Sequence, residues 1–293
     1  MIKRWLQVFC GVLFVSATSQ IFVIGQEAPL PSPDKPSVEI YLTASGKDAS
    51  VVLLDQSELT VTLDKQPIQV TSVRPAKHDN LLFAVLLDAS TSNARHSAWI
   101  KEAANLLFEG LSAGDNRGYL VFFDVSAQVS AKTLQPSEAR KALDGLKFGG
   151  GTALFDTIAK TCTTVLSRRT NPDTPRRVIS LLSDGGDNQS HTGLKEAVQS
   201  AEKEGVSVYS LGTSATEDSG KDALSEIAKE TGGQAINKNR TDEGVKAFLA
   251  AIDSQWALSL TPPSPSSPKP HSLVIKSSQK GIQISAPSLI VIQ

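Results

Sequence analysis

Cysteine is nearly absent. Only Cys10 and Cys162 occur in 293 residues. Cys10 falls in an N-terminal apolar run of signal-peptide type, and once that run is removed Cys162 stands alone. Neither an intramolecular disulfide nor a cysteine-based zinc site can then form. Cys162 lies in a helical apolar pattern and reads as a small buried apolar residue. Net charge is equally scarce: 29 Lys and Arg against 30 Asp and Glu leave −1. A protein that grips nucleic acid through its phosphates needs a basic stripe, and none is present. The densest basic stretch, RRTNPDTPRR at 168–177, is split by two prolines and reads as exposed loop. No internal repeat is visible. The G-x-S-x-G match at 110–114, GLSAG, falls at the end of a helical pattern rather than at the strand-to-helix turn a nucleophile needs, and His78, His96, His191 and His271 lie in polar or loop-like surroundings. Serine hydrolysis is therefore without its parts.

What is present begins with an ordinary core: 40% hydrophobic and 20% charged residues suit a folded globular chain. The N-terminus opens with MIKRW, two positive charges, followed by the apolar run LQVFCGVLFVSA. This reads as a secretory signal peptide over residues 1–25, cleaved near residue 19 or 25, after Ala17-Thr18-Ser19 or Val23-Ile24-Gly25. The mature protein is then secreted, periplasmic or part of the cell envelope. The alternative is an uncleaved anchor over residues 6–24, long enough to cross a bilayer but interrupted by Ser16, Thr18, Ser19 and Gln20. Cys10 lacks the small residue that precedes a lipidated cysteine.

Residues 26–37 contain EAPLPSPDKPS and read as an extended Pro-rich linker. Residues 38–78 alternate as β-strands do, with Leu59, Val61 and Leu63 on one face and a hairpin turn between Leu63 and Val70. Forty residues make a thin core, so this segment needs help from elsewhere. From residue 81 the pattern predicts strands at 81–87, 118–123, 177–182, 206–211 and 234–237. Between them it predicts helices at 98–111, 137–146, 153–167, 192–204, 222–231 and 242–256, and AQVSAKTL suggests an antiparallel edge strand. Such alternation predicts an α/β domain over 80–256 built on a doubly wound, mostly parallel sheet. The tail, 257–293, returns to short β runs. It is expected to pair with 38–78 in a small flanking β-sandwich-like domain into which the α/β domain is inserted.

Three loops carry the chemistry. The run LLFAVLLD ends in Asp88, with Ser90 and Ser92 following at alternate positions. In FGGGTALFD three glycines precede Thr152, and in LLSDGGDN Asp184 ends another apolar strand. In open α/β sheets the carboxyl ends of the strands form the binding crevice where strand order reverses. Two carboxylates packed there repel each other, and one would be driven towards protonation. A divalent cation removes that conflict. With hard oxygen ligands and neither sulfur nor imidazole, the set favours Mg²⁺, Mn²⁺ or Ca²⁺ over zinc. No lysine follows the glycines at P-loop spacing, so the loop reads as freedom for Thr152 rather than a phosphate cradle. Asp187 and Asn188 read as caps for the helix that follows them, and Asp124 and Asp156 as solvated or capping residues.

The Asp88-x-Ser90-x-Ser92 motif, Thr152 and the SDG around Asp184 resemble the metal-ion-dependent adhesion site of von Willebrand factor type A domains. GGTALFDTI, RRVISLLSDGGDN and TGGQA are similar to a bacterial exported subgroup with flanking β segments. The resemblance implies that Asp88, Ser90 and Ser92 hold a metal from the first loop, Thr152 from the second and Asp184 from the third. It further implies that an Asp or Glu carboxylate of a protein partner completes the shell. One departure stands out: the family commonly has Gly and Met where this chain has Thr91 and Asn93, and Thr91 restricts a turn that Gly would leave free.

The function implied is an exported, cation-dependent binding or adhesion module, not an enzyme, with no nucleic-acid partner. A scaffold whose metal is purely structural is the alternative. A Mg²⁺-dependent phosphoryl hydrolase is weaker, because Ser90 occupies the place where an aspartyl-nucleophile phosphatase needs its second Asp.

Overall fold

Every residue of LLFAVLLD is buried, as a strand covered by helices on both faces requires. The computed structural model describes residues 37–46, 52–171, 173–174, 176–213, 217–236, 242–262 and 269–292. In chain order the strands are β1 (Val38–Ser45), β2 (Leu59–Leu63), β3 (Gln66–Pro67), β4 (Gln69–Pro75), β5 (Leu81–Asp88), β6 (Arg117–Phe123), β7 (Ala127–Val129), β8 (Arg176–Ser183), β9 (Val206–Gly212), β10 (Ala235–Ile236), β11 (Trp256–Thr261), β12 (Pro270–Ser277), β13 (Gln283–Ser285) and β14 (Leu289–Val291). The helices are α1 (Ser97–Leu111), α2 (Pro136–Gly145), α3 (Leu154–Thr163), α4 (Leu194–Glu204), α5 (Asp218–Glu230) and α6 (Asp242–Asp253). The signal-peptide and linker readings, up to residue 36, and residues 263–268 of the tail lie outside the described residues.

The central sheet has the order β10-β9-β8-β5-β6-β7. All its pairings are parallel except that of β7, which runs antiparallel on β6. The chain moves from β5 to β6 on one side, then crosses to β8 on the other. Strand order therefore reverses at β5, and Asp88 is its last residue. Side chains alternate across β5. Leu81, Phe83, Val85 and Leu87 join a cluster with α1, α2 and α6, while Leu82, Ala84 and Leu86 join another with α3, α4 and α5. Cys162 is fully buried in the second cluster. Burying one such aliphatic side chain contributes about 1.5–3 kcal/mol, so the strand that presents Asp88 is firmly held.

The terminal segments form two antiparallel sheets, β13-β1-β11-β4 and β14-β12-β2-β3. Both feed one apolar cluster that includes Leu42, Val61, Leu63, Leu258, Leu260, Leu273 and Ile290. The thin 38–78 segment thus gains its core from strands more than 170 residues later in the chain, such as β11 against β1 and β12 against β2. Asp64 and Lys65, with positive φ, make the tight turn from β2 to β3.

Three helix limits differ from the sequence expectation by three or more residues. α3 ends at Thr163, not 167: Thr163 and Thr164 hydroxyls bond back to the carbonyls of Ala159 and Lys160, and such back-bonding disfavours continuation. α5 begins earlier, at Asp218, whose carboxylate suits a first turn. α6 stops at Asp253, and Trp256 opens β11 instead, buried against the terminal sheets.

Candidate functional site

Asp88 is completely buried, and both its oxygens are engaged. Oδ1 accepts the Ser90 backbone N–H at 3.0 Å, and Oδ2 accepts the Ser183 hydroxyl at 2.6 Å. Ser183 Oγ in turn accepts the Gly185 N–H at 3.0 Å. Burial pushes the Asp88 carboxyl above the ordinary aspartate value. The neighbouring Asp184 pushes the same way, and the Ser183 and Ser90 hydrogen bonds oppose the shift.

From this floor the oxygens rise to the surface. Ser90 Oγ and Ser92 Oγ are 3.1 Å apart, and Ser92 Oγ donates to Asp184 Oδ2 at 2.5 Å. Asp184 Oδ1 accepts the Gly186 N–H at 3.0 Å. Ser90 and Asp184 are buried, whereas Ser92 is exposed, so the cluster is closed behind and open in front.

Thr152 enters differently. Its backbone is clasped by the third loop: its N–H donates to Asn188 Oδ1 at 2.9 Å, and its carbonyl accepts from Asn188 and Gln189, each at 3.0 Å. Its hydroxyl makes no hydrogen bond among the described residues. The glycines before it serve close packing. Gly150 has φ +79°, and a Cβ on Gly151 would lie 2.7 Å from Asn188 Oδ1. The first and second loops are tied as well, because Thr91 N–H and Oγ1 both donate to the Gly150 carbonyl, at 3.2 and 2.9 Å. Asp64 and Lys65 are the non-glycine residues with positive φ among those described. Thr91 therefore needs no left-handed backbone, and the restriction expected from losing Gly there carries no strain.

Asp88, Ser90, Ser92 and Asp184 thus join one hydrogen-bonded set, with Thr152 brought in through its backbone. Asp187 and Asn188 do not cap the helix that follows them. Asp187 Oδ2 accepts the Phe155 N–H at 3.0 Å in the first turn of α3, and Asn188 holds Thr152. Asp156 reaches the other way: hydrogen bonding from Thr192, then from His191, holds its carboxyl down at about 2. Asp124 accepts the Ser126 N–H in a local turn. Sequence reasoning missed Ser183, Asn93, Thr213 and Gly220. Of these, Ser183 carried a signal as a serine immediately before Asp184, and Asn93 as a polar residue where the resembling family commonly has Met.

Gly220, in the first turn of α5, lies against the third loop. A Cβ there would sit 2.1 Å from the Asp184 carbonyl oxygen, and one on Gly185, φ +78°, would sit 2.3 Å from the Gly220 carbonyl oxygen. Two glycines back to back thus let a helix brace the loop that carries Asp184.

A family model of the von Willebrand factor type A domain matches residues 83–250. The fold is similar to a von Willebrand factor type A structure from Catenulispora acidiphila, at 14% identity and TM-score 0.50, over 88% of this chain and 74% of that one. An aerotolerance-related membrane protein from Bacteroides fragilis is similar over 59% of this chain and 98% of its own, at 18% identity and TM-score 0.48. Proximal thread matrix protein 1 from the mussel byssus, with a zinc-occupied MIDAS motif, is similar over 64% of this chain and 48% of its own, at 18% identity and TM-score 0.49. No curated protein matches.

Proposed function

This chain belongs to the von Willebrand factor type A family, and on that footing we propose that it is a divalent-cation-dependent protein-binding module. Its metal ligands are Asp88, Ser90, Ser92, Thr152 and Asp184, directly or through water. Mg²⁺ is the expected cation, with Mn²⁺ or Ca²⁺ as substitutes. The observation that carries this reading is the run of oxygens from fully buried Asp88 through Ser90 and Asp184 to exposed Ser92. The donor set fits the ion: two carboxylates supply the charge, hydroxyls supply neutral hard oxygens, and among the described residues no cationic side chain offsets the burial of Asp88. A divalent cation held by these residues would neutralise the carboxylates and supply the positive charge that draws an acidic side chain of a partner.

The protein's own residues set the rest. Ser183 and the Ser90 N–H orient Asp88, and Asn188 and Thr91 hold the threonine loop in place. Domains of this family are typically interaction modules rather than enzymes. The mature protein acts outside the cytoplasm on the sequence reading of its N-terminus. Among the described residues no helix is long and apolar enough to cross a membrane.

Calorimetric titration with Mg²⁺, repeated on Asp88→Ala, tests the reading. The wild type should bind one ion, and the variant should stay folded and bind none. Capture of a cell-surface partner should fail in both a chelator and the variant. A variant that loses its fold together with the metal would instead indicate a purely structural ion.

A further inference from the structure

Ser90 is held from behind by a residue outside the motif. Asn93 is completely buried and follows the first loop in a 3-10 turn, Thr91–His96. Burying an amide costs free energy unless its polar ends are paired, and here both are. Its Oδ1 accepts the Thr213 hydroxyl at 2.6 Å, and its Nδ2 donates to Ser90 Oγ in a long hydrogen bond of 3.4 Å.

Thr213 is anchored in turn. It follows β9 directly, is buried, and its backbone N–H donates to the Ser183 carbonyl at 3.1 Å. The same Ser183 donates its hydroxyl to Asp88. The two deepest oxygen-bearing side chains of the cluster, Asp88 and Ser90, are therefore steadied by one frame made of Ser183, Thr213 and Asn93.

The order of donors matters. Because the Thr213 hydroxyl faces Oδ1, the amide turns its N–H₂ towards Ser90. A hydroxyl that receives a proton donor on its inner side keeps its other lone pair for the open side. An apolar side chain at 93, such as the Met common in the resembling family, would fill the space but donate nothing.

We infer that Asn93, oriented by Thr213, is a positioning residue that fixes the Ser90 hydroxyl for the cation. This inference rests on the metal-binding reading of the site and goes beyond it in naming a relay outside the ligand set.

The test is Mg²⁺ calorimetry on the full chain, with unfolding midpoints measured in the absence of metal. The wild type is compared with Asn93→Met, Thr213→Val, Thr213→Ser and the double variant Asn93→Met/Thr213→Val. Asn93→Met and Thr213→Val should each weaken Mg²⁺ binding by about tenfold or more, the usual cost of losing an outer partner of a metal ligand. Thr213→Ser retains the hydroxyl and should bind as the wild type does. In the Asn93→Met background, Thr213→Val should cost nothing further, because the cycle isolates the path through Asn93. Should Asn93→Met fail to fold, Thr213→Val and Thr213→Ser decide the matter alone. Wild-type affinity in Thr213→Val, or a loss that Thr213→Ser does not rescue, overturns the relay while leaving the metal site intact. A wild type that takes up no Mg²⁺ overturns both.

Discussion

Gly220→Ala tests whether the brace behind Asp184 matters, without altering the side chain of any proposed ligand. The new Cβ would stand 2.1 Å from the Asp184 carbonyl oxygen. Carbon and oxygen in ordinary contact are more than about 3 Å apart, so α5 or the third loop must retreat by roughly 1 Å. The obstructing atom belongs to the backbone and cannot rotate aside. Such overpacking costs about 1–3 kcal/mol, which a domain of ordinary stability, about 5–15 kcal/mol, survives. The displacement falls on Asp184, whose Oδ2 is 2.5 Å from Ser92 Oγ. Metal–ligand distances tolerate only about 0.2 Å, so Mg²⁺ affinity should fall by about tenfold or more. Calorimetry and urea unfolding measure the two effects. Gly145→Ala is the control, because a Cβ there meets nothing within 4 Å; it should leave Mg²⁺ affinity unchanged and raise stability by about 0.4–1 kcal/mol. A Gly220→Ala protein with wild-type Mg²⁺ affinity would refute the claim that this helix positions the third loop.

Two further predictions concern the junction between the α/β part and the terminal sheets. Arg176 is buried and donates to Gln255 Oε1 at 2.8 Å, to the Ala76 carbonyl at 3.3 Å and to the Ile252 carbonyl. Arg176→Met leaves those acceptors without their donor and should cost about 3 kcal/mol or more; a urea-unfolding loss below about 1 kcal/mol would contradict that role. Glu202 Oε1 joins α4 to the tail by accepting from Ser288 N, Ser288 Oγ and Leu289 N at 2.7, 2.7 and 2.9 Å. Burial raises its carboxyl above the ordinary 4.5, and the Ser288 and Leu289 bonds only partly oppose this. A raised folded-state value favours the folded protein below 4.5, and that advantage is lost as pH rises through the shifted value. Glu202→Gln should therefore flatten the fall in stability on the alkaline side of 4.5 in urea titrations across pH. An identical pH slope in both proteins would show that Glu202 does not titrate in this way.

The sheet was legible because its strands are local signals. LLFAVLL and RVISLL read as buried strands from composition alone, whereas Arg176 and Arg177, at the end of a stretch read as exposed loop, are buried in β8. Asp88, Ser90 and Ser92 were legible because a strand end must place them together. What escaped depends on pairs distant in the chain. Nothing near Asn93 announces Thr213, 120 positions away, and Gly220 reads as a weak point in a helix until Asp184 is found against it. Asp187 shows the opposite failure. Its position before α4 suggested a cap for that helix, yet its oxygen serves the first turn of α3, because the second and third loops are pressed side by side.

Crystals soaked in Mn²⁺ and measured for anomalous scattering address the metal site most directly. A single peak should lie about 2 Å from Ser90 and Ser92 hydroxyl oxygens, with Thr152, Asp88 and Asp184 bound directly or through one water. No peak at that position, with the Ser92–Asp184 hydrogen bond still in place, would contradict the account.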